Sequence, residues 1–269
     1  MLRIFICVKQ VPDAAAVEID PETNTLKREG VESVVNPLDW YAVEEALRIK
    51  ATLPSEPIET VAITMGPPQA ADALREVLAV GIDRAVLVSD RAFAGADTWA
   101  TSYALAKAMA AVGDPWLILT GKQAIDGDTA QVGPEIAVHL DLPQAMFVRR
   151  IRSVTKDFAI VERLTDNGCD VLKVKLPAVM SVLKDINEPR KKNLFDLKRG
   201  MSAEIPALTA KGISADLTQI GLDGSPTRVV EIFSPDSARV CRRYGGTPET
   251  SSGDLDSGVS AVIQLLQTE

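Results

Sequence analysis

The chain has 269 residues, of which 46% are hydrophobic and 25% are charged, a composition typical of a globular protein that needs no disulfide or metal staple. Its 37 acidic and 29 basic residues give a formal net charge of −8, which argues against nucleic acid as the main partner, because phosphate binding needs an excess of basic residues. Cys7, Cys169 and Cys241 lack metal-ligand or CxxC spacing and are expected to be buried or incidental thiols in a reducing compartment.

Residues 1–145 alternate between strand and helix patterns. Asp97 stands where the N-cap of the third helix is expected. Residues 4–8 and 85–88 are continuously apolar, as in the strands of a parallel sheet that is covered on both faces. A polar turn is predicted at residues 20–24. The predicted strands are residues 3–8, 59–64, 84–89 and 116–120, and the predicted helices are residues 38–51, 69–80, 98–112 and 133–140.

From residue 147 the pattern changes to mixed apolar and polar positions separated by short turns, which predicts antiparallel hairpins. Residues 185–200 carry Pro, Asn and a basic cluster and are expected to form a surface loop. The remaining residues are polar and rich in turns until a short helix, and they contain too little apolar sequence to fold alone. The predicted strands here are residues 148–154, 158–164, 171–174 and 178–183, and the closing helix is residues 259–266.

Neither a leader nor a membrane span is expected, since residues 4–8 are too short for a signal peptide and no apolar run approaches the roughly 20 residues of a spanning helix. We therefore expect a cytoplasmic protein. A single histidine excludes a metal site built from several histidines. This residue, His139, falls late in a predicted helix, so a packed or surface position is expected rather than a catalytic one.

Three connections follow the carboxyl ends of predicted parallel strands: residues 9–13, 64–68 and 121–133. Ligands of doubly wound sheets bind outside these ends, where the strand order reverses. The third connection opens a helix, and a helix N-terminus favours phosphate. Its small residues, such as Gly127 and Ala130, allow a ligand to approach the backbone. It matches neither a P-loop nor GxGxxG, so phosphate binding and an ordinary capped turn both remain open.

The other groups of polar residues give weaker evidence for a binding site. Asp126 and Asp128 are two residues apart, but no third ligand is evident, so capping or solvated roles are favoured over a metal site. Thr98 and Thr101 stand on the first helical turn after Asp97, where they either contact an anionic ligand or simply begin the helix. No nucleophile–base pair stands out. The residues alone therefore indicate an α/β nucleotide-binding protein without visible catalytic machinery.

Six motifs occur in order along the chain: V-K-Q-V-P (8–12), N-P (36–37), A-V-E-E-A (42–46), G-P (66–67), G-K-Q-A-I-D (121–126) and N-E-P-R (187–190). Together they resemble the beta subunit of electron transfer flavoprotein, over most of the chain to about residue 199. The resemblance implies an α/β three-layer nucleotide-binding fold with a mainly parallel sheet, an antiparallel extension and a C-terminal arm. It implies a domain at 1–200, and an arm at 201–269 that contacts an alpha subunit.

The resemblance also implies a nucleotide site, which holds AMP in ordinary beta subunits. The runs at 90–102 and 126–135, with M-G-P-P-Q at 65–69, look like the electron-bifurcating group, in which FAD replaces AMP. The cofactor-binding residues implied in this way are Cys7, Asn36, Asp39, Met65, Asp97, Thr98, Thr101, Gly121, Lys122, Gln123, Ala124, Ile125, Asp126, Gly127, Asp128, Thr129, Ala130, Gln131 and Val132.

In the bifurcating group, FAD of the beta subunit accepts hydride from NADH and divides the electron pair between two acceptors. One electron goes to ferredoxin or flavodoxin, and the other goes through the alpha-subunit FAD to an acyl-CoA dehydrogenase. The alternative within the family is a non-bifurcating subunit with structural AMP. A universal-stress-type or ATP-hydrolysing protein is disfavoured, because a matching glycine-rich phosphate motif is missing and N-E-P-R is present.

The segment at 187–200 resembles the loop with which the family docks on the dehydrogenase. Leu194 matches the leucine that anchors in a pocket of the partner. An apolar side chain surrounded by charged residues is typical of a small binding hot spot. The basic residues 190–192 are expected to steer docking. The partner-binding residues implied are Asn187, Glu188, Pro189, Arg190, Leu194 and Phe195.

Overall fold

A computed structural model describes residues 1–13, 33–230 and 253–266. Contacts within the chain divide it into two compact units, Met1–Val230 and Glu231–Glu269. The second unit contains one described helix, so the α/β architecture belongs to the first. None of the helices in the described ranges is long and apolar enough to cross a membrane. The turn predicted at residues 20–24 and Cys241 lie outside the described residues.

Each predicted strand and helix is present, and most of their ends differ from the prediction by three residues or fewer. Within the described ranges, four strands and α-helices were not predicted: the strands Gln10–Pro12, Ser33–Val35 and Ala207–Leu208, and the helix Leu194–Met201. The strands are β1 (Leu2–Cys7), β2 (Gln10–Pro12), β3 (Ser33–Val35), β4 (Ile58–Met65), β5 (Arg84–Val88), β6 (Leu117–Gly121), β7 (Gln144–Val154), β8 (Phe158–Thr165), β9 (Gly168–Lys175), β10 (Ala178–Val182) and β11 (Ala207–Leu208). The helices are α1 (Asp39–Thr52), α2 (Ala71–Ala79), α3 (Thr98–Val112), α4 (Val132–His139), α5 (Leu194–Met201) and α6 (Gly253–Leu266).

One nine-stranded sheet organises the first unit, in the order β11-β5-β4-β1-β6-β10-β7-β8-β9. Phe5 of β1 pairs in parallel with Val61 of β4 on one side and with Ile118 of β6 on the other. From β1 the chain moves outward through β4 and β5, and then returns to the opposite side of β1 with β6. The strand order therefore reverses between β1 and β6, and the carboxyl ends of these two strands flank the switch point.

Helices cover both faces of the parallel part of the sheet. Ile4 and Ile6 of β1 point into one buried cluster with α1 and α2, whereas Phe5 points into a second cluster with Met109 of α3 and Ile136 of α4. Side chains alternate between the faces of a strand, so a continuously apolar strand serves both clusters. Full burial of each large apolar side chain stabilises the fold by about 1.5–3 kcal/mol. The predicted three-layer α/β fold is confirmed.

The antiparallel extension predicted after residue 147 is also confirmed. Ile151 of β7 pairs with Val161 of β8, which in turn pairs with Leu172 of β9. The chain then returns through β10, which lies between β6 and β7 and runs parallel to both. The extension is therefore joined to the parallel sheet by a strand that comes later in the sequence.

The loop predicted at residues 185–200 is wrong for its second half, where Leu194–Met201 forms α5. Asn193 caps this helix, because its side chain accepts a hydrogen bond of 2.9 Å from the backbone N–H of Asp196. The helix packs on α2 through Gly200, where a Cβ would lie 2.4 Å from the carbonyl oxygen of Arg75. The Pro and Asn residues before 194 favoured a loop, but the Asn-x-x-Asp cap begins a helix.

The first compact unit continues past residue 200, where the domain boundary is predicted. β11 pairs with the edge strand β5, Ala207 lying opposite Leu87. Farther on, Ala210, Ile213 and Ile220 are buried in the cluster beneath α3 and α4. Residues 201–230 therefore add an edge strand and core contacts to the α/β unit. The predicted short closing helix is longer than residues 259–266 and begins at Gly253.

Candidate functional site

Three strands end at the switch point, and their last residues are Cys7 of β1, Met65 of β4 and Gly121 of β6. Cys7 pairs with Ile63 and with Thr120, so the three strand ends lie side by side at one edge of the sheet. This is the edge at which the sequence places the nucleotide site.

A buried amide connects two segments that are distant in the sequence. The Nδ2 of Asn36 donates to Asp39 Oδ1 at 2.8 Å and to the carbonyl oxygen of Gln123 at 2.9 Å. Its Oδ1 accepts from the backbone N–H of Ile125 at 3.2 Å. Asn36 is fully buried, and leaving these groups unpaired would be costly. Asn36 therefore fixes the base of the connection after β6 against the start of α1.

Asp39 is the buried carboxylate of the site, with 6% of its surface exposed. Its Oδ2 accepts from the backbone N–H of Lys9 at 2.8 Å. Burial raises the pKa of Asp39 to about 7, against the opposing effects of Asn36, Lys9 and the backbone of Gly121. Burial, and next the charge of Asp39, raise the pKa of Cys7, so Cys7 is a neutral thiol and not a nucleophile.

Gly121 has a steric reason to be glycine. A Cβ at this position would lie 2.4 Å from Asp39 Oδ1 and 2.8 Å from the carbonyl oxygen of Leu38. Separations this short do not occur between these atom types, so a side chain would force α1 away from β6. Gly121 thus permits the close approach that places Asp39 at the switch point.

The connection after β6 is anchored at its base and exposed at its tip. Lys9 Nζ contacts Asp126 Oδ1 at 2.7 Å and Oδ2 at 2.8 Å, and the side chain of Gln123 bonds Asp128. Within the described ranges no group of three or more His, Cys, Asp or Glu residues is placed to hold a metal ion. The two aspartates of this connection thus have partners inside the chain.

The backbone of this connection bends sharply before α4. Asp128 and Ala130 have φ angles of 54° and 55°, a left-handed conformation that is unfavourable for residues with a side chain. The residues from 125 to 129 are exposed, and a Cβ on Gly127 would meet no atom within 4 Å. The tip therefore leaves open space beside the backbone, as close approach of a ligand requires.

Asp97 caps α3, as predicted. Its Oδ1 accepts from the backbone N–H of Ala100 at 3.1 Å. Its Oδ2 accepts from the backbone N–H of Thr227 at 3.0 Å and from the Thr227 hydroxyl at 2.8 Å, and its own N–H donates to Ser225 Oγ at 2.8 Å. Both oxygens of the carboxylate are therefore already hydrogen-bonded, one to the N-terminus of α3 and the other to Thr227.

The two runs that suggested FAD meet at the beginnings of α3 and α4. Thr98 Oγ1 donates to Glu135 Oε1 at 3.0 Å and lies 3.5 Å from Gln131 Oε1. Burial raises the pKa of Glu135, although the hydrogen bond from Thr98 opposes this effect. Glu135 Oε2 is buried without a hydrogen-bond partner among the described residues. One buried polar atom here thus remains to be satisfied.

No role was predicted for Lys9 or Glu135, although both lie in motifs that carry the resemblance. Lys9 lies two residues after the end of β1, at the predicted edge. The acidic connection at 121–133 follows another strand that ends at the same edge, and this pairing of opposite charges was the available signal in the sequence. His139 packs against Trp99, with ring centroids 4.3 Å apart, and burial lowers its pKa. It is the packed residue that was expected.

Four of the six predicted docking residues fall into two groups. Leu194 and Phe195 are 83% and 87% exposed at the first turn of α5. Asn187 and Arg190 instead form hydrogen bonds to α1. Lys192 pairs with Glu76 of α2. The basic residues expected to steer docking are thus partly neutralised inside the chain. We name residues 187–195 the docking segment.

Comparison with known proteins agrees with this architecture. Residues 23–212 match the family model described as "Electron transfer flavoprotein domain". The chain is 41% identical over 268 residues to an electron transfer flavoprotein subunit beta of Thermoanaerobacterium thermosaccharolyticum, covering 99% of this chain and 98% of that protein. It is 46% identical over 234 residues to the caffeyl-CoA reductase-Etf complex subunit CarD of Acetobacterium woodii, covering 87% and 88%.

A third relative is the electron transfer flavoprotein subunit beta of Megasphaera elsdenii, which is 45% identical over 240 residues, covering 87% of this chain and 88% of that protein. Each of these similarities covers at least 87% of both proteins. Membership of this family agrees with the three-layer fold and with the polar residues found at the strand ends of the switch point. The chain therefore belongs to the electron transfer flavoprotein family, as a beta subunit.

Proposed function

We propose that this beta subunit binds FAD at the switch point and serves, with an alpha subunit, as the NADH-oxidising half of an electron-bifurcating flavoprotein. The observation that carries the proposal is the junction of α3 with α4 through Thr98 and Glu135. This junction adds a second helix N-terminus beside the connection after β6. A single nucleotide monophosphate needs only one such anion-binding helix end, whereas a dinucleotide is long enough to use both.

The residues present fit a nucleotide. The connection after β6 is fixed at its base by Asn36, exposes its tip, and leaves open space beside Gly127. Residues 121–132, with Cys7, Asn36, Asp39 and Met65, would hold the nucleotide half. Thr98, Thr101 and Gln131 would hold the remainder, next to the unsatisfied Oε2 of Glu135. Asp97 would act indirectly, because its oxygens are already bonded to α3 and Thr227.

A flavin bound at this edge would supply hydride acceptance from NADH and transfer of single electrons. The residues of the chain bind and orient; none of those at the switch point is arranged as a nucleophile with a general base. Burial raises the pKa of Asp39 to about 7 and also raises the pKa of Cys7, which lowers the negative charge at the edge where the proposed nucleotide would bind. Because the flavin would supply the redox chemistry and the chain would only bind and orient it, the sequence shows no catalytic pair.

The partners follow from the family and the exposed surface. A beta subunit acts with an alpha subunit. The relative from Acetobacterium woodii is named as part of a complex with a reductase of a CoA thioester, which supports an acyl-CoA dehydrogenase as the high-potential partner. Ferredoxin or flavodoxin is the proposed low-potential acceptor. Leu194 and Phe195 provide an exposed apolar pair of the kind that anchors a protein interface.

Counting the nucleotides in the purified heterodimer tests the proposal. The chain is co-expressed with its alpha subunit, and the bound nucleotides are released and separated by chromatography. Two FAD per heterodimer, with flavin reduction on anaerobic addition of NADH, is the expected result. One FAD and one AMP would overturn the bifurcating assignment and favour the alternative, a beta subunit that carries structural AMP and passes electrons from acyl-CoA dehydrogenases.

A further inference from the structure

The docking segment is attached to α1 by polar contacts with two neighbouring acidic residues. Glu44 accepts a bidentate pair from Arg190, with Nε–Oε2 at 2.7 Å and Nη2–Oε1 at 3.0 Å, and a third hydrogen bond of 3.2 Å from the backbone N–H of Arg190. Asn187 Nδ2 donates to Glu45 Oε2 and to the carbonyl oxygen of Tyr41, both at 2.9 Å. These five hydrogen bonds form what we call the latch.

The latch uses two adjacent rows of α1. Positions four apart lie on one face of a helix, so Trp40 and Glu44 form one row and Tyr41 and Glu45 form the next. Lys192 of the docking segment also contacts the first row, since its Nζ lies 4.8 Å from the centroid of the Trp40 ring. Glu44 and Glu45 are each only 7% exposed. Two buried carboxylates side by side repel each other and need the partners that the docking segment supplies.

Apolar packing beneath the segment is incomplete. A cleft of about 460 Å³ lies beside the segment, and Val34, Trp40 and Pro189 are among the residues that line it. The N-terminal part of the segment is therefore not held by a filled core. Its position relative to α1 depends on directional bonds, and a bidentate arginine pair fixes orientation as well as distance.

We propose that Glu44 and Glu45 are positioning residues for partner docking, which hold residues 187–192 so that Leu194 is presented to the partner in one geometry. The proposal rests on the docking role of Leu194 in the proposed function. The same helix begins at Asp39 in the proposed nucleotide site, about 7.5 Å along the axis from Glu44 at 1.5 Å per residue. One rigid element thus supports both the nucleotide site and the docking segment.

The test uses the heterodimer and a purified acyl-CoA dehydrogenase that exchanges electrons with the wild-type complex. The variants are Glu44→Gln/Glu45→Gln, the conservative variant Glu44→Asp and Leu194→Ala. A matched control is Asp72→Asn, which removes the exposed ion pair with Arg75 on α2. Electron transfer is measured as a function of dehydrogenase concentration. Trypsin cleavage after residues 190–192 is followed in parallel, because all three basic residues are retained in these variants.

The double glutamine variant is expected to raise the KM for the dehydrogenase about five- to ten-fold, while kcat, nucleotide content and reduction by NADH remain as in the wild type. Cleavage at residues 190–192 is expected to accelerate, since local release precedes proteolysis. Glu44→Asp should recover part of the affinity, and Asp72→Asn should match the wild type. A purely structural role would lower stability without this division between KM and kcat.

The outcomes distinguish a failure of the latch proposal from a failure of the docking role of Leu194. If Leu194→Ala raises KM and the double glutamine variant does not, the latch proposal is overturned while the docking role stands. If Leu194→Ala leaves KM unchanged, the docking role in the proposed function fails, and the latch proposal fails with it. Loss of nucleotide from the double variant would also overturn the proposal, because the latch would then act through the nucleotide site.

Discussion

Lys9 and Asp126 are joined across the switch point of the sheet, with Lys9 Nζ 2.7 Å from Oδ1 and 2.8 Å from Oδ2 of the carboxylate. Lys9 lies two residues after the end of β1, and Asp126 lies in the connection after β6. The lysine and aspartate side chains are 49% and 33% exposed, so the ion pair itself stabilises the fold by less than about 1 kcal/mol. Its effect is to hold the exposed connection at one position over the strand ends.

The first prediction follows from this geometry. Asp126→Asn should weaken binding of FAD or AMP to the nucleotide-free heterodimer about two- to ten-fold, because the free connection must be ordered on binding. The melting temperature should change by no more than about 2 °C, since exposed ion pairs contribute little to stability. Isothermal titration and thermal melts measure the two effects. Asp72→Asn is the control, and equal nucleotide affinity in the two variants would refute the positioning role of Asp126.

A pH dependence of stability is predicted from Asp39. The pKa of this carboxyl is about 7 in the folded chain and near its ordinary value of 3.8 when unfolded. The folded state therefore binds the proton more tightly, and the contribution of Asp39 to the free energy of unfolding falls as pH rises from about 4 to about 7. Above about pH 7 this contribution is constant. The full effect is at most roughly 4 kcal/mol at 1.36 kcal/mol per pKa unit.

Asp39→Asn removes this titration. The difference in free energy of unfolding between wild type and variant should therefore shift against the wild type between about pH 5 and about pH 8. Asparagine also places a donor opposite the N–H of Lys9 or the amide of Asn36, which adds a pH-independent cost of about 1–3 kcal/mol. Urea melts at both pH values separate the two effects. A constant difference across the range would show that Asp39 does not titrate there.

The third prediction concerns the hydroxyls at the start of α3. Thr98→Ala/Thr101→Ala should cost on the order of 1 kcal/mol or less in stability, because Asp97 still caps the helix. If these hydroxyls hold the part of FAD that AMP lacks, the variant heterodimer should retain the alpha-subunit FAD while the beta site loses FAD or takes up AMP. Flavin stoichiometry and anaerobic NADH titration measure this. Two tightly bound FAD in a folded variant would contradict the assignment.

The fourth prediction tests the packing of α5. Gly200→Ala should destabilise the chain by about 1–3 kcal/mol, because the new Cβ would lie 2.4 Å from the carbonyl oxygen of Arg75 and 2.8 Å from Ala79 Cβ. Gly127→Ala is a matched control, since its Cβ would meet no atom within 4 Å. Chemical denaturation of the nucleotide-free heterodimer compares the two variants, so that a change in nucleotide binding at Gly127 does not affect the comparison. Equal stability would mean that α5 does not pack closely on α2.

Much of the fold was predictable because the relevant signals are local. The continuously apolar run of β1 indicates a strand covered on both faces, and Asp97 indicates a helix start; both are present in the structure. The switch-point edge followed from the alternation of strands and helices. The α5 helix was missed, because its cap at Asn193 spans only four residues and stands beside a Pro-containing segment that favours a loop.

The sequence by itself determined the order of the main strands and helices, the α/β class, the family motifs and the edge of the sheet at which the strand order reverses, because periodicity, caps and motifs are properties of neighbouring residues. The tertiary structure alone decided which distant side chains meet. Lys9 and Asp126 are 117 residues apart, and Asn187 and Glu45 are 142 apart. Such pairs are formed by the register of parallel strands and by helix packing, so no local pattern specifies them.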